Sequence, residues 1–302
     1  QPLSYVDFFD FAPPPGGDQQ DVFVTKCARN LTPGDNTLHL LCIRTLGGVH
    51  VTYRTITGTP SAPVLSEGTI VPVSPYAPAP SAEQKGSTLL VPVNDCRPTD
   101  FYVRDGVLTV AWHTSVTLGG LVGAIRLLQL RTSDQAVVTD ETYAAYDTHL
   151  YYPAVTVDSV GTIFLGFDRS SDLEYPSSYA TGKRRHDATL QPSVLLKTGL
   201  APNLTTRWGD YTGMDNDETL SGPGAAVAWY AGQYTRGTNT FGTWINRLVF
   251  TYGQVSGTVS DDCDGSAPTT GDRTALADTQ RAVPAADPND QSRARRFVIC
   301  GS

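Results

Sequence analysis

The chain has 302 residues, of which 40% are hydrophobic and only 17% charged, so it can bury a sizeable core and lacks the composition of a disordered polymer. A formal net charge of −8 and a pI near 5.0, with only four lysines, exclude a surface built to hold nucleic acid, whose affinity comes from clustered Lys and Arg. Gly (28) and Pro (21) are dense and Asp outnumbers Glu by 25 to five, which favours many short strands joined by turns over helices.

Residues 1–20 read as an N-terminal docking arm: Phe8, Phe9 and Phe11 need burial, and Pro13-Pro14-Pro15-Gly16-Gly17 then breaks regular structure. Strands are expected at 21–28, 37–45 and 49–56, joined by the Pro33-Gly34-Asp35-Asn36 turn and by Gly47-Gly48. Residues 59–86 read as a surface excursion whose only strand-like residues are Val64, Ile70, Val71 and Val73. Strands resume at 89–91, and 101–116 forms a hairpin turning at Asp105-Gly106, one of the strongest short turn signals. Two more follow at 122–131 and 136–143, and a four-strand unit covers 152–157, 162–167, 179–183 and 193–198.

The same outline recurs at 101–146 and 207–252, and four strands in about 45–50 residues is the length of a propeller blade. The predicted fold is therefore all-β, with no helix longer than about three turns and with the four-stranded antiparallel blades of a whole or partial β-propeller. A many-stranded β-sandwich is the competing architecture. The blades occupy residues 21–255, and a polar tail, 256–302, carries a candidate closing strand at 297–300.

The stretch from Arg207 to Trp244 holds three of the four tryptophans, in an Arg207-Trp208-Gly209-Asp210-Tyr211 turn, a strand through Trp229 and a strand opening at Trp244. Arg207, Trp208, Asp210, Tyr211, Trp229 and Trp244 form the candidate ligand set, because aromatic faces with a few charged groups suit sugar rings. The competing reading packs the same aromatics between blades. Asp210, Asp215 and Asp217, with Glu218 beside them, are candidate oxygen ligands for Ca2+; the alternative is that they cap turns through side-chain-to-backbone bonds.

Five cysteines, Cys27, Cys42, Cys96, Cys263 and Cys300, show no paired zinc-type spacing. Cys27 and Cys42 fall on neighbouring strand candidates and would bridge if the geometry allows. With the Asn30-Leu31-Thr32 and Asn203-Leu204-Thr205 sequons and an opening at Gln1 rather than Met, they point to an exported chain, or a piece of one, with at least one disulfide. No membrane span is visible.

Tyr152-Pro153-Ala154-Val155, Asp158-x-x-Gly161-Thr162-Ile163-Phe164-Leu165-Gly166-Phe167, Tyr179-Ala180-Thr181-Gly182 and Arg207-Trp208-Gly209-Asp210-Tyr211-Thr212-Gly213 resemble the phrases of secreted bacterial β-propeller proteins related in fold to the sialidases. The resemblance covers about 87–252. It implies a secreted or cell-surface location and a binding or catalytic surface on the blades. A sialidase-like site would need three arginines on a carboxylate and a Tyr activated by a Glu, and Arg126, Arg169, Arg207, Glu174 and Tyr175 supply the residue types. The Ser-x-Asp-x-Gly-x-Thr-Trp box of sialidases is absent. The expectation is thus a non-catalytic structural or binding module that meets proteins, copies of itself or carbohydrate, with a sialidase-like glycoside hydrolase as the alternative. His113 has no Gly-x-Ser-x-Gly elbow near it and suits a packed strand histidine. Lys183-Arg184-Arg185-His186 reads as a solvated basic turn.

Overall fold

The computed structural model describes residues 12–209, 212–222, 224–252 and 295–301, the last seven through their backbone. Among these, one turn of helix, α1 (Gln20–Phe23), accompanies strands throughout, so the chain is all-β. The first sheet joins β1 (Thr25–Cys27), β3 (Leu38–Ile43), β4 (Gly48–Thr59) and β5 (Ala62–Leu65), with β6 (Thr69–Tyr76) also on β4. The second runs β2 (Arg29–Asn30), β9 (Phe101–Arg104), β10 (Val107–Leu118), β11 (Gly120–Arg131), β12 (Val137–Tyr143). The third is the meander β13 (His149–Val157), β14 (Ile163–Ser171), β15 (Glu174–Lys183), β16 (Val194–Lys197), and the fourth is β17 (Gly213–Asn216), β18 (Ala225–Gly237), β19 (Thr240–Tyr252), β20 (Arg295–Gly301). Every pairing is antiparallel except β2 with β9.

Turn chemistry sets these hairpins. Asp105 (φ +49°) and Gly106 (φ +71°) both take the left-handed conformation, as a two-residue hairpin turn requires. The β13–β14 turn is held by Asp158, whose Oδ1 accepts from Val160 N (3.0 Å) and Thr162 N (2.7 Å). The excursion at 59–86 is more regular than its Pro content suggests, because β6 is an edge strand and an edge tolerates Pro72 and Pro75. The closing-strand candidate is β20, and it pairs with β19 as the last strand of the fourth sheet.

The sheets stack in chain order, and alternation of side chains gives each neighbouring pair a shared core. Leu41, Ile43 and Tyr53 of the first sheet meet Val110, Trp112 and Leu128 of the second. From the second sheet's other face, Ile125 and Leu127 meet Val155, Leu165 and Phe167 of the third. Phe164 and Ala180 then meet Met214, Tyr230, Leu248 and Phe250 of the fourth. Covered on both faces, β13 is buried at all nine positions, which is why it reads as a continuous apolar run. The leading strands of the last three sheets also touch: Tyr102 Oη donates to Met214 O (2.6 Å), Thr99 Oγ1 to Pro153 O, and Thr212 Oγ1 to Tyr152 O (3.1 Å).

The outer face of the first sheet is covered by residues 12–24. Arg54, buried in that face, donates to Ala12 O, and Cys42 Sγ to Gln20 O (3.4 Å). The fully buried Asp21 carboxylate binds Arg44 Nη1 (3.1 Å) and His50 Nε2 (2.7 Å). Residues 12–20, the second half of the N-terminal docking arm expected from sequence, thus form a strap docked on their own chain; residues 1–11 and the tail at 256–294 lie outside the described residues.

The expected Cys27–Cys42 bridge does not form. β1 and β3 are antiparallel neighbours, but Cys27 faces Leu40 while Cys42 faces Thr25, a diagonal offset of two residues. Cys27, Cys42 and Cys96 are free thiols; Cys263 and the Cys300 side chain lie outside the described residues. Burial pushes the Cys42 thiol up and the Cys96 thiol up to about 12. Alkylation of the native protein with peptide mapping should therefore label Cys27 and leave Cys42 and Cys96 unmodified until denaturant is added; equal labelling of all three would contradict this packing.

Candidate functional site

The Arg207–Trp244 stretch distributes its aromatics over three environments. Trp208 is buried, packed with Tyr151, Tyr152, Ala82 and Val91, the last two from the hairpin of β7 (Ala82–Gln84) and β8 (Ser87–Val91). Its Nε1 donates to Asp168 Oδ2 on β14 (2.9 Å), and Gln233 N donates to Asp168 Oδ1 (3.3 Å). A Cβ at Gly209 would overlap Gln233 Oε1, so the glutamine side chain would have to move to admit one. Asn203 holds the preceding turn: its Nδ2 reaches Arg207 O (3.2 Å), and its backbone pairs with Gln84 on both sides (2.7 Å each). The Arg207 side chain is exposed. Asp210 and Tyr211 lie outside the described residues.

Tyr152 occupies the left-handed region (φ +50°) at a bulge in β13, a conformation costly for an aromatic residue and kept only where surrounding bonds fix it. Those bonds are present. Tyr152 N donates to His113 Nδ1 (3.4 Å), whose Nε2–H in turn donates to Asn94 O (2.7 Å), while Tyr152 O accepts from Thr212. With one nitrogen accepting and burial holding its pKa down, His113 is a neutral packed histidine, as its strand setting predicts.

Trp229 and Trp244 lie on opposite faces of the fourth sheet. Trp244 sits on the face toward the third sheet, under Lys197 Nζ (3.7 Å from the ring centroid) and edge-on to Tyr234 (6.3 Å). Trp229 points the other way, 44% exposed, with Ile245, 60% exposed, on the same face opposite Ala231. Asp215 stands opposite Trp229 and pairs with Arg29. Asp217 accepts from Trp229 Nε1 (2.9 Å) through one oxygen and from Thr219 N (3.0 Å), Thr219 Oγ1 (2.6 Å) and Leu220 N (3.1 Å) through the other. The Thr219 and Trp229 hydrogen bonds keep its carboxyl below the ordinary range. Among the described residues no group of three or more His, Cys, Asp or Glu converges to hold a metal.

The sialidase-type residues are apart. Arg126, between the first and second sheets, pairs with Asp140 (2.5 Å), whereas Arg169 pairs through Nε with Glu174 (2.7 Å) and lies 4.0 Å over the Tyr179 ring. Glu174 hydrogen-bonds Tyr179 Oη, not the adjacent Tyr175, which faces Lys85. The basic run borders a cleft of about 380 Å3 between the second and third sheets, but Lys183 pairs with Glu141 (2.9 Å), Arg184 with Asp187 (3.3 Å) and Arg104 with Glu218. Comparison of the chain with protein-family models and with curated proteins finds no match in either set.

Asp168 is the functional-looking group that the sequence hides. It is fully buried, and desolvation lifts its pKa to about 8 against the opposing effect of its Trp208 and Gln233 donors. The folded state therefore keeps a proton that the unfolded chain, titrating near ~4, has released. The sign follows: Asp168 lowers stability progressively as pH rises from ~4 to about 8, and the loss is complete above that. Asp168→Asn, neutral at every pH, should gain stability relative to the parent across this window. Denaturant unfolding at several pH values checks it; a variant that instead lost ground as pH rose would show an ionised, stabilising Asp168. Gly209→Ala should cost about 1–3 kcal/mol in the same assay through overpacking.

Proposed function

We propose that the chain is a non-catalytic propeller-type module that works by binding an apolar segment of a protein partner. Four sheets stacked in chain order, the third and fourth of them four-stranded meanders, support the blade reading. Tyr151, Tyr152, Trp208 and the β7–β8 hairpin pack into a small core of their own. Arg126 and Arg169 each hold their own carboxylate in different inter-sheet layers, which speaks against the sialidase-like alternative.

The observation that carries the binding role is the outer face of the fourth sheet. Val227, Trp229, Ala231, Ile245 and Val249 share it by register with Arg247, which stands opposite Trp229, Trp229 and Ile245 are exposed, and the Arg29–Asp215 pair lies at its edge. Exposed aromatic and aliphatic side chains interleaved with Arg are the composition of a protein contact. Peptides selected from a displayed random library on the immobilised protein should be enriched in aromatic residues, and Ile245→Asp, which leaves the Trp229–Asp217 hydrogen bond in place, should abolish their binding. Selection that is indifferent to Ile245→Asp, or recovery of sugars instead of peptides, would refute this reading, as would release of sialic acid from a sialoside at enzymatic rates.

A further inference from the structure

The layer between the second and third sheets is apolar inside and polar at its rim. Ala111 and Leu127 of the second sheet meet Val155 and Leu165 of the third. One step outward on the same faces, Thr109, Gln129 and Thr139 stand in register across the second sheet, and Val157, Ile163 and Lys183 form the matching row of the third. Gln129 Nε2 donates to Thr109 Oγ1 (2.9 Å), and Thr139 Oγ1 donates to Gln129 Oε1 (2.8 Å). Tied along its own sheet, Gln129 does not fill the layer, and the cleft of about 380 Å3 is lined by both rows, a volume that suits a small molecule. The polar row keeps unused capacity: the Thr109 hydroxyl hydrogen, the second Nε2 hydrogen of Gln129 and a lone pair on Thr139.

Six charged residues and His186 line this cleft, and four of the six are committed: Lys183 to Glu141, Arg184 and Asp187 to each other, and Arg104 to Glu218. The remaining two, Arg185 and Asp105, have no acid or base partner among the described residues. They belong to opposite walls, Asp105 to the β9–β10 turn of the second sheet and Arg185 to the connection after β15 of the third. The Arg185 stem is laid along Gly161, where a Cβ would come within 3.1 Å of its Cδ, so less of its freedom is lost when a ligand is bound. We propose that the cleft binds a small α-amino acid as its zwitterion, with the carboxylate on Arg185, the ammonium on Asp105 and a hydrogen-bonding side chain on the Thr109–Gln129–Thr139 row. A guanidinium offers a carboxylate two parallel N–H donors, and His186 beside it offers another. A simple anion would bring its charge to a cleft that also holds Asp105, and a simple cation would meet Arg185; a ligand carrying both charges satisfies both walls. The cleft shares no residue with the outer face of the fourth sheet, so this site and the partner-binding role stand or fall separately.

The probes are L-glutamine and L-asparagine, titrated calorimetrically into the full chain beside two analogues of the first, N-acetyl-L-glutamine, which lacks the ammonium, and L-glutamine amide, which lacks the carboxylate. L-Glutamine should bind saturably at one site, and each analogue about tenfold more weakly. Arg185→Gln keeps methylenes over Gly161, and Asp105→Asn keeps the hairpin, since Asn-Gly turns as well as Asp-Gly; circular dichroism and melting temperature control for folding. Each substitution should weaken L-glutamine about tenfold, Arg185→Gln without effect on the amide analogue and Asp105→Asn without effect on the acetylated one. No saturable binding of either amino acid would overturn the proposal. So would N-acetyl-L-glutamine binding as tightly as L-glutamine, which would make the cleft a site for anions alone, and so would affinities indifferent to both substitutions, which would place the ligand elsewhere on the chain.

Discussion

A sheet with apolar residues on both faces has to be covered on both, and that constraint organises this molecule. Three of the coverings are sheet on sheet, each an interdigitation of alternating side chains. The fourth is a strap of thirteen-odd residues over the first sheet, anchored through Arg54, Cys42 and the Asp21–Arg44–His50 group. Asp21 shows how such a strap resists peeling: removing a buried carboxylate from two cationic or hydrogen-bonding partners would leave each unpaired, a penalty larger than the bond's net worth. Among the described residues, nothing covers Trp229 and Ile245 on the outer face of the fourth sheet.

Stacking alone leaves the sheets free to slide, and the contacts that fix them are polar and local. Tyr152 is the hinge pin. Its left-handed backbone turns its N–H to His113 of the second sheet and its C=O to Thr212 at the start of the fourth, so one strained residue of the third sheet ties its neighbours on both sides. Trp208 does the same from the connection between the third and fourth sheets, reaching Asp168. Keeping Asp168 neutral is what makes this tie compatible with complete burial, since an unpaired anion there would carry a heavy desolvation cost.

The sequence is most legible where local chemistry dictates the answer. Asp105-Gly106 fixes a hairpin by backbone preference alone, and the apolar run at 152–157 announces a strand covered on both faces. Legibility fails where partners are distant. Nothing in Phe167-Asp168-Arg169 marks an acid that will meet a tryptophan 40 residues later, and only its place in an otherwise apolar strand hints at burial. Adjacency in sequence pairs Glu174 with Tyr175, but the bulged entry to β15 gives it Tyr179. The two sequon asparagines have structural employment: Asn203 is buried and bonded within its turn, and Asn30 holds Asp35 O and Thr37 O. Their Asn-x-Thr pattern is therefore explained by turn chemistry, as is the acid at Asp217.

Catalysis and binding make opposite demands on charged groups. A reacting site needs charges held near one another and left available to substrate, whereas here Arg126, Lys183, Arg184 and Arg169 each meet an acid of their own. Three of those pairs sit where neighbouring strands or sheets join, and Arg184–Asp187 closes a turn, so they fix structure more than chemistry. What the described residues of the fourth sheet leave exposed includes an indole already oriented by Asp217 and, on the same face, an isoleucine. A ring fixed by a hydrogen bond loses little side-chain freedom when it is covered, which is the property a recognition surface needs.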